Sequence, residues 1–299
     1  MNQRNNNSEK LFLQKWGNLY IPSMHLKLTR LSNFIEYKYF KIHYKKIGSG
    51  PKAIIAFYGF GQDMSSYNCM IEQFNKYYTV YVPELFFHGH SIWKKNNLFL
   101  DKQIWKDFLR LLMEKEKIIE FSLIGFSLGA KLALVTLEAY PEKVRQLVLL
   151  APDGIRENFW YKSAVRTLGG RLAFRFLRRY PKLLLISLKL LLRQGYLDKA
   201  SHHFLSRLLQ NPAQRAQLYN TWVLYRGIQV DIQKISQTIV EREIKPLIFL
   251  GKKDPWFTLH TIEPMVKRVS SVRVIFLDAT HAQVIRRFAD YCRIYTQVI

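Results

Sequence analysis

Residues 118–131 read IIEFSLIGFSLGAK. An apolar run of strand character meets Gly125-Phe126-Ser127-Leu128-Gly129, and a helical pattern begins directly after it. A serine between two glycines at a strand-to-helix junction has a plain reading, a tight turn. It also has a chemical one. Small residues two positions either side let the backbone bend sharply and leave the hydroxyl exposed, and the N-terminus of the following helix favours developing negative charge. The stretch fits G-x-S-x-G in the required strand–turn–helix context, which makes Ser127 a candidate nucleophile.

Working outward, short apolar runs alternate with helical patterns. Strand-like runs fall at 38–48 (alternating), 53–59, 78–84, 120–125, 146–152, 245–251 and 271–278. Continuous apolar runs of this length suit strands buried on both faces of a parallel sheet. Helices are expected at 65–77, 101–115, 128–140, 258–269 and 281–297, with Asp101 as an N-cap and Pro141 ending the third. The alternation predicts an α/β fold with a mostly parallel central sheet and helices on both faces.

The segment 155–240 breaks the pattern. It shows no strand signal and carries fifteen Lys/Arg against three acids, Glu157, Asp198 and Asp231, about half of the chain's net charge of +24. It is expected to be a basic helical cap inserted into a core formed by 35–154 and 241–299, with 1–34 as an N-terminal extension. In 171–197 the basic residues interleave with Leu, Phe and Ile. That pattern suits ordinary lid packing, an anionic membrane surface, or an acidic partner such as a carrier protein. No nucleic-acid module pattern accompanies the charge.

Two cysteines, Cys69 and Cys292, offer no disulfide framework. The start lacks a signal-peptide pattern, and no window approaches the roughly 20 apolar residues of a membrane span. The expected location is therefore the cytoplasm, with contact at the inner membrane surface as the second reading. His88-Gly89-His90 lacks a neighbouring carboxylate or cysteine and makes a poor metal site, and His202-His203 suits surface or lid packing.

A serine hydroxyl needs a base to take its proton, and the base needs an orienting acid. His281 follows the run 271–278 directly. Asp254, in GKKDP, follows the run 245–251. Asp153, in APDG, follows the run 146–152 and is the rival acid. Loops at the carboxyl ends of parallel strands converge on one crevice, so these groups can meet.

The order Ser127, Asp254, His281, the ATHA segment and the loop Glu84-Leu85-Phe86-Phe87-His88-Gly89-His90-Ser91 together resemble the α/β-hydrolase superfamily over residues 36–299. The loop is similar to the family's D-x-P-G-H-G-x-S. The resemblance implies a catalytic triad of Ser127, Asp254 and His281, with backbone N–H groups of Phe60 and Leu128 as the oxyanion hole. It implies no cofactor and no metal. Two departures stand out: Tyr58 where relatives carry His before glycine, and Ala130 where many carry a second glycine. The expected activity is hydrolysis of a carboxylic ester with a hydrophobic, lipid-like or carrier-bound acyl group. A thioester or C–C bond hydrolase with the same triad, and a non-catalytic binding module on the same fold, are the alternatives.

Overall fold

Apolar runs too short for helices form the parallel body of the sheet. The computed structural model of the chain describes residues 32–70, 74, 76–95, 99–157 and 159–295. The strands are β1 (Ser32–Tyr37), β2 (Phe40–Ile47), β3 (Lys52–Phe57), β4 (Tyr78–Pro83), β5 (Ile92–Trp93), β6 (Phe121–Phe126), β7 (Val144–Leu150), β8 (Leu247–Gly251) and β9 (Arg273–Leu277). They pair in the order β1-β2-β4-β3-β6-β7-β8-β9, with β5 alongside β2. From β4 to β9 every pairing is parallel, and β1–β2 and β2–β4 are antiparallel. Every residue of β4, β6 and β8 is buried, which explains why these strands read as unbroken apolar runs.

Two strands escape the pattern. β1 begins at Ser32, so residues 32–34 of the expected N-terminal extension belong to the sheet; the rest of that extension, 1–31, lies outside the described residues. Pairing among the described residues only with β2, at the edge of the sheet, β1 needs no continuous apolar run. β5 has two residues and no periodicity to detect.

The helices are α1 (Lys102–Glu116), α2 (Leu128–Ala139), α3 (Phe159–Arg166), α4 (Leu168–Arg179), α5 (Pro181–Arg193), α6 (Lys199–Gln210), α7 (Pro212–Leu224), α8 (Ile232–Glu241), α9 (Leu259–Val266) and α10 (Val284–Ile294). Asp101 caps α1 by accepting from the Ile104 N–H at 2.8 Å, and Lys117 ends the helix in the left-handed region. The Trp105 indole N–H donates to Thr136 Oγ1 at 3.0 Å, tying α1 to α2. The expected helix at 65–77 begins instead as a 3₁₀ segment, Met64–Met70. The expected helix from 281 starts with a 3₁₀ turn, His281–Gln283, before α10 takes over.

Between β7 and β8 the described chain is helical. Helices α4 to α7 share a small apolar cluster of their own: Leu188, Leu208, Leu209 and Leu218 are buried in it, with Phe174, Leu184 and Leu185 against them. The expected cap boundary at 240 runs one helix too far. In α8, Ile235 and Ile239 are fully buried in the main core beside the sheet, and Asp231 caps the helix through the Lys234 N–H. Composition could not separate α8 from the insertion, because it is one more helix in a stretch with no strand signal to mark a boundary.

Candidate active site

The junction after β6 has the geometry of a nucleophile elbow. Ser127 sits at φ 51, ψ −120, a strained conformation for a residue with a side chain. Its hydroxyl makes no capping hydrogen bond to α2. Backbone bonds hold the turn: Ser127 N–H donates to Leu150 O at 3.0 Å, while Ala130 and Asp153 N–H groups donate to Ser127 O at 2.9 and 3.2 Å. The flanking glycines are there for space. A Cβ on Gly125 would stand 2.5 Å from Ala130 Cα, and one on Gly129 would stand 2.0 Å from the Phe57 carbonyl oxygen. Ala130, a departure from the commoner glycine, is accommodated fully buried.

β8 and β9 bring the other two candidates together. His281 Nδ1 lies 2.6 Å from Asp254 Oδ2. Asp254 is buried, and its second oxygen accepts from the Trp256 and Phe257 N–H groups at 2.9 and 3.3 Å. That arrangement fixes which oxygen faces the imidazole. The His281 ring stacks on Phe257 at 5.1 Å between centroids and lies 4.8 Å from Phe126, the residue just before Ser127. A capping box between Thr280 and Gln283 anchors the turn that carries it.

Asp153, the rival carboxylate, takes no part in this pair: its Oδ1 accepts from the Gly154 N–H at 2.7 Å. Strand order accounts for this placement. β8 is the neighbour of β9, and β7 is one strand further away.

Of the two candidate oxyanion donors, Leu128 is the first residue of α2, where an amide has no partner inside the helix. Phe60 lies between two amides that are already engaged. Gly59 N–H donates to Gln62 Oε1 at 3.1 Å, and Gly61 N–H donates to His88 Nε2 at 3.1 Å.

The loop 84–91 braces this corner, a role the sequence alone did not assign to it. His88 Nδ1 is 2.9 Å from the Phe86 carbonyl, which can only accept, so the proton sits on Nδ1 and Nε2 is free to accept from Gly61. Burial pushes the His88 imidazole below its ordinary pKa and favours this neutral form. Tyr58, standing where relatives carry His, is fully buried, and its hydroxyl accepts from the Leu85 N–H at 2.8 Å. Glu84 receives the Ser91 N–H at 2.7 Å and approaches His43 Nδ1 at 3.4 Å. A Cβ on Gly89 would meet Glu84 Oε1 at 2.1 Å, which accounts for the glycine.

The insertion reaches the same end of the sheet. Phe60 packs against the leucine cluster of the insertion, and Phe204 of α6 lies 5.1 Å from the Trp256 ring. The Trp256 indole N–H donates to Ser201 Oγ. Phe126, Trp256 and Phe257 thus set aromatic rings against His281, and the insertion packs on Trp256 and Phe60.

The α/β-hydrolase fold family matches residues 52–287, and the chain belongs to that family. Uncharacterised proteins of Mycobacterium tuberculosis and Mycobacterium bovis are 27% identical over 111 residues, 37% of this chain and 32% of the relative. The chain thus spans about a third of the length of the curated relatives it matches. Among solved structures, an esterase from Thermogutta terrifontis is 14% identical with a TM-score of 0.62, covering 86% of this chain and 93% of that one. A hydrolase from a Medee basin deep-sea metagenome is 15% identical with a TM-score of 0.64, covering 89% and 98%. A bacterial membrane phospholipase A is 17% identical with a TM-score of 0.61, covering 89% and 84%. At these identities the likeness is one of fold.

Proposed function

We propose that the protein is a serine hydrolase that cleaves a carboxylic ester with a hydrophobic acyl group through an acyl-enzyme on Ser127. The observation that carries this reading is the 2.6 Å contact of His281 Nδ1 with Asp254, made beside an elbow that holds Ser127 in a strained conformation. In the proposed reaction Ser127 Oγ attacks the acyl carbonyl. His281 takes the serine proton and delivers it to the leaving alkoxide. Asp254 orients the ring and stabilises the imidazolium. The Leu128 and Phe60 N–H groups receive the oxyanion, a contribution of roughly 10²–10³ in rate per donor. Water, activated by His281, then releases the acid and restores Ser127.

Phe60, Phe126, Trp256 and Phe257, together with the leucine cluster of the cap, support an apolar acyl chain. A hydrocarbon chain gains about 0.8 kcal/mol for each methylene it buries there.

The test is intact-mass analysis after treatment with a fluorophosphonate, followed by hydrolysis of esters of rising acyl length. One adduct on the wild type and none on Ser127→Ala is expected, with kcat/KM rising with acyl length. A folded wild-type protein that takes no adduct would refute the reading. Faster turnover of thioesters than of matched oxygen esters would move the assignment to that bond.

A further inference from the structure

The insertion carries a surface that the site around Ser127 does not use. Between Glu157 and Asp198 the sequence holds nine Lys/Arg and no Asp or Glu. In helices α4 and α5 the apolar residues split into two sets. Phe174, Leu184, Leu185 and Leu188 face inward to the leucine cluster that also receives Phe60. A second set faces solvent: Leu168, Leu172 and Phe176 on α4, then Leu183, Ile186 and Leu190 on α5, each 48–68% exposed. Their spacings, four and four on the first helix and three and four on the second, put each trio on one helix face. The helices follow one another with only Tyr180 between them, so the trios run on from each other along the chain. Arg175, Arg179, Lys182 and Lys189 are exposed among them.

Single exposed leucines are ordinary, but a run of six large apolar side chains over two consecutive helices is not. We propose that this face of α4 and α5 docks on the interface of an anionic lipid bilayer. The six apolar side chains enter the acyl boundary, and the four cations lie at the headgroup level. Charge selects this occupant. A bilayer interface is apolar within and anionic at its rim, so it satisfies both sets of side chains. An acidic protein surface would satisfy the cations and leave the apolar row facing polar groups. Docked this way, the membrane lies on the outer side of helices whose inner side meets Phe60. Binding does not depend on the chemistry at Ser127, and the two readings can fail separately.

The experiment is co-sedimentation of the full chain with vesicles of phosphatidylcholine, with and without phosphatidylglycerol, at low and high salt. Expected is sedimentation with the anionic vesicles only, lost as the Debye length shrinks from about 10 Å at 0.1 M to about 3 Å at 1 M salt. Arg175→Gln/Lys182→Gln/Lys189→Gln is expected to lower partitioning about a hundredfold, at about fivefold per cation. Phe176→Ser/Ile186→Ser is expected to lower it about tenfold or more, and Ser127→Ala to bind as wild type. All the substituted surface positions are exposed, so melting temperatures should match the wild type; a fluorophosphonate adduct on each surface variant checks the site separately. Failure of the wild type to sediment with anionic vesicles would overturn the proposal. So would a Phe176→Ser/Ile186→Ser protein that binds as well as wild type, since that outcome assigns the face to a purely electrostatic partner.

Discussion

Replacing Asp254 by asparagine tests the proposed chemistry most sharply, because the surrounding hydrogen bonds dictate how the amide must sit. Asp254 Oδ1 accepts from two backbone N–H groups, those of Trp256 and Phe257, while Oδ2 lies 2.6 Å from His281 Nδ1. In Asp254→Asn the carbonyl oxygen must keep the two backbone donors, since turning the NH₂ toward them would set donor against donor. The amide nitrogen then faces His281 Nδ1 and donates to it. The imidazole is forced to carry its proton on Nε2, and no lone pair remains there to receive the Ser127 proton. A wrong tautomer of this kind costs about 10⁴ in kcat, or about 5 kcal/mol in the barrier. The cost in stability is the exchange of three charge-assisted hydrogen bonds for neutral ones, about 1 kcal/mol each, within the margin of a typical domain. Steady-state hydrolysis of a p-nitrophenyl ester, the fluorophosphonate labelling rate and a thermal melt would read the three quantities. If Asp254→Asn kept activity within tenfold of wild type while Asp153→Asn lost about 10⁴, the assignment of the orienting acid would be wrong.

Further substitutions probe the scaffold. Ser127→Gly should abolish labelling and still raise the melting temperature, because glycine adopts φ 51 without strain; relief of about 1 kcal/mol corresponds to about 2–4 °C. An unchanged or lower melting temperature would argue against stored strain at the elbow. Gly129→Ala places a Cβ 2.0 Å from the Phe57 carbonyl oxygen, a backbone atom that no rotamer change can move, and should cost about 3 kcal/mol or more in chemical denaturation. For His88, whose folded pKa is held below the ordinary 6.5 by burial, the unfolded chain takes up a proton that the native site refuses once pH drops below about 6.5. Stability should therefore fall with pH below about 6.5 in the wild type. His88→Gln offers Gly61 N–H an acceptor and Phe86 O a donor without titrating, so its profile should be flatter; parallel profiles for the two proteins would remove His88 as the cause.

Much of the architecture was legible in the chain because the relevant signals are local. Strands β4, β6 and β8 are buried along their whole length, and β3 and β7 over their last four residues, and burial on both faces writes a continuous apolar run. The elbow is partly local: Gly125 is required by contacts within one strand–turn–helix unit, where Ser127 takes its positive φ, whereas Gly129 is required by the Phe57 backbone of the neighbouring β3. The order of Ser127, Asp254 and His281 after β6, β8 and β9 is also a property of the chain.

Other features depend on which elements become neighbours. Asp153 and Asp254 both follow an apolar strand and both sit in turn-forming dipeptides, so nothing nearby distinguishes them. The pairing of β8, not β7, with β9 sets Asp254 against His281; the adjacent strand lies about 4.8 Å away and the next about twice that. His88 was visible only as part of a motif, and its bond to Gly61, 27 residues away, exists because two loops fold over one another. In the insertion, the composition showed leucines mixed with arginines but could not say which leucines face which way. Packing against Leu208, Leu209 and Leu218 draws one face of α4 and α5 inward and leaves the other in water. Periodicity along a chain reports that a helix has two faces; the partner that covers one of them is a fact of three dimensions.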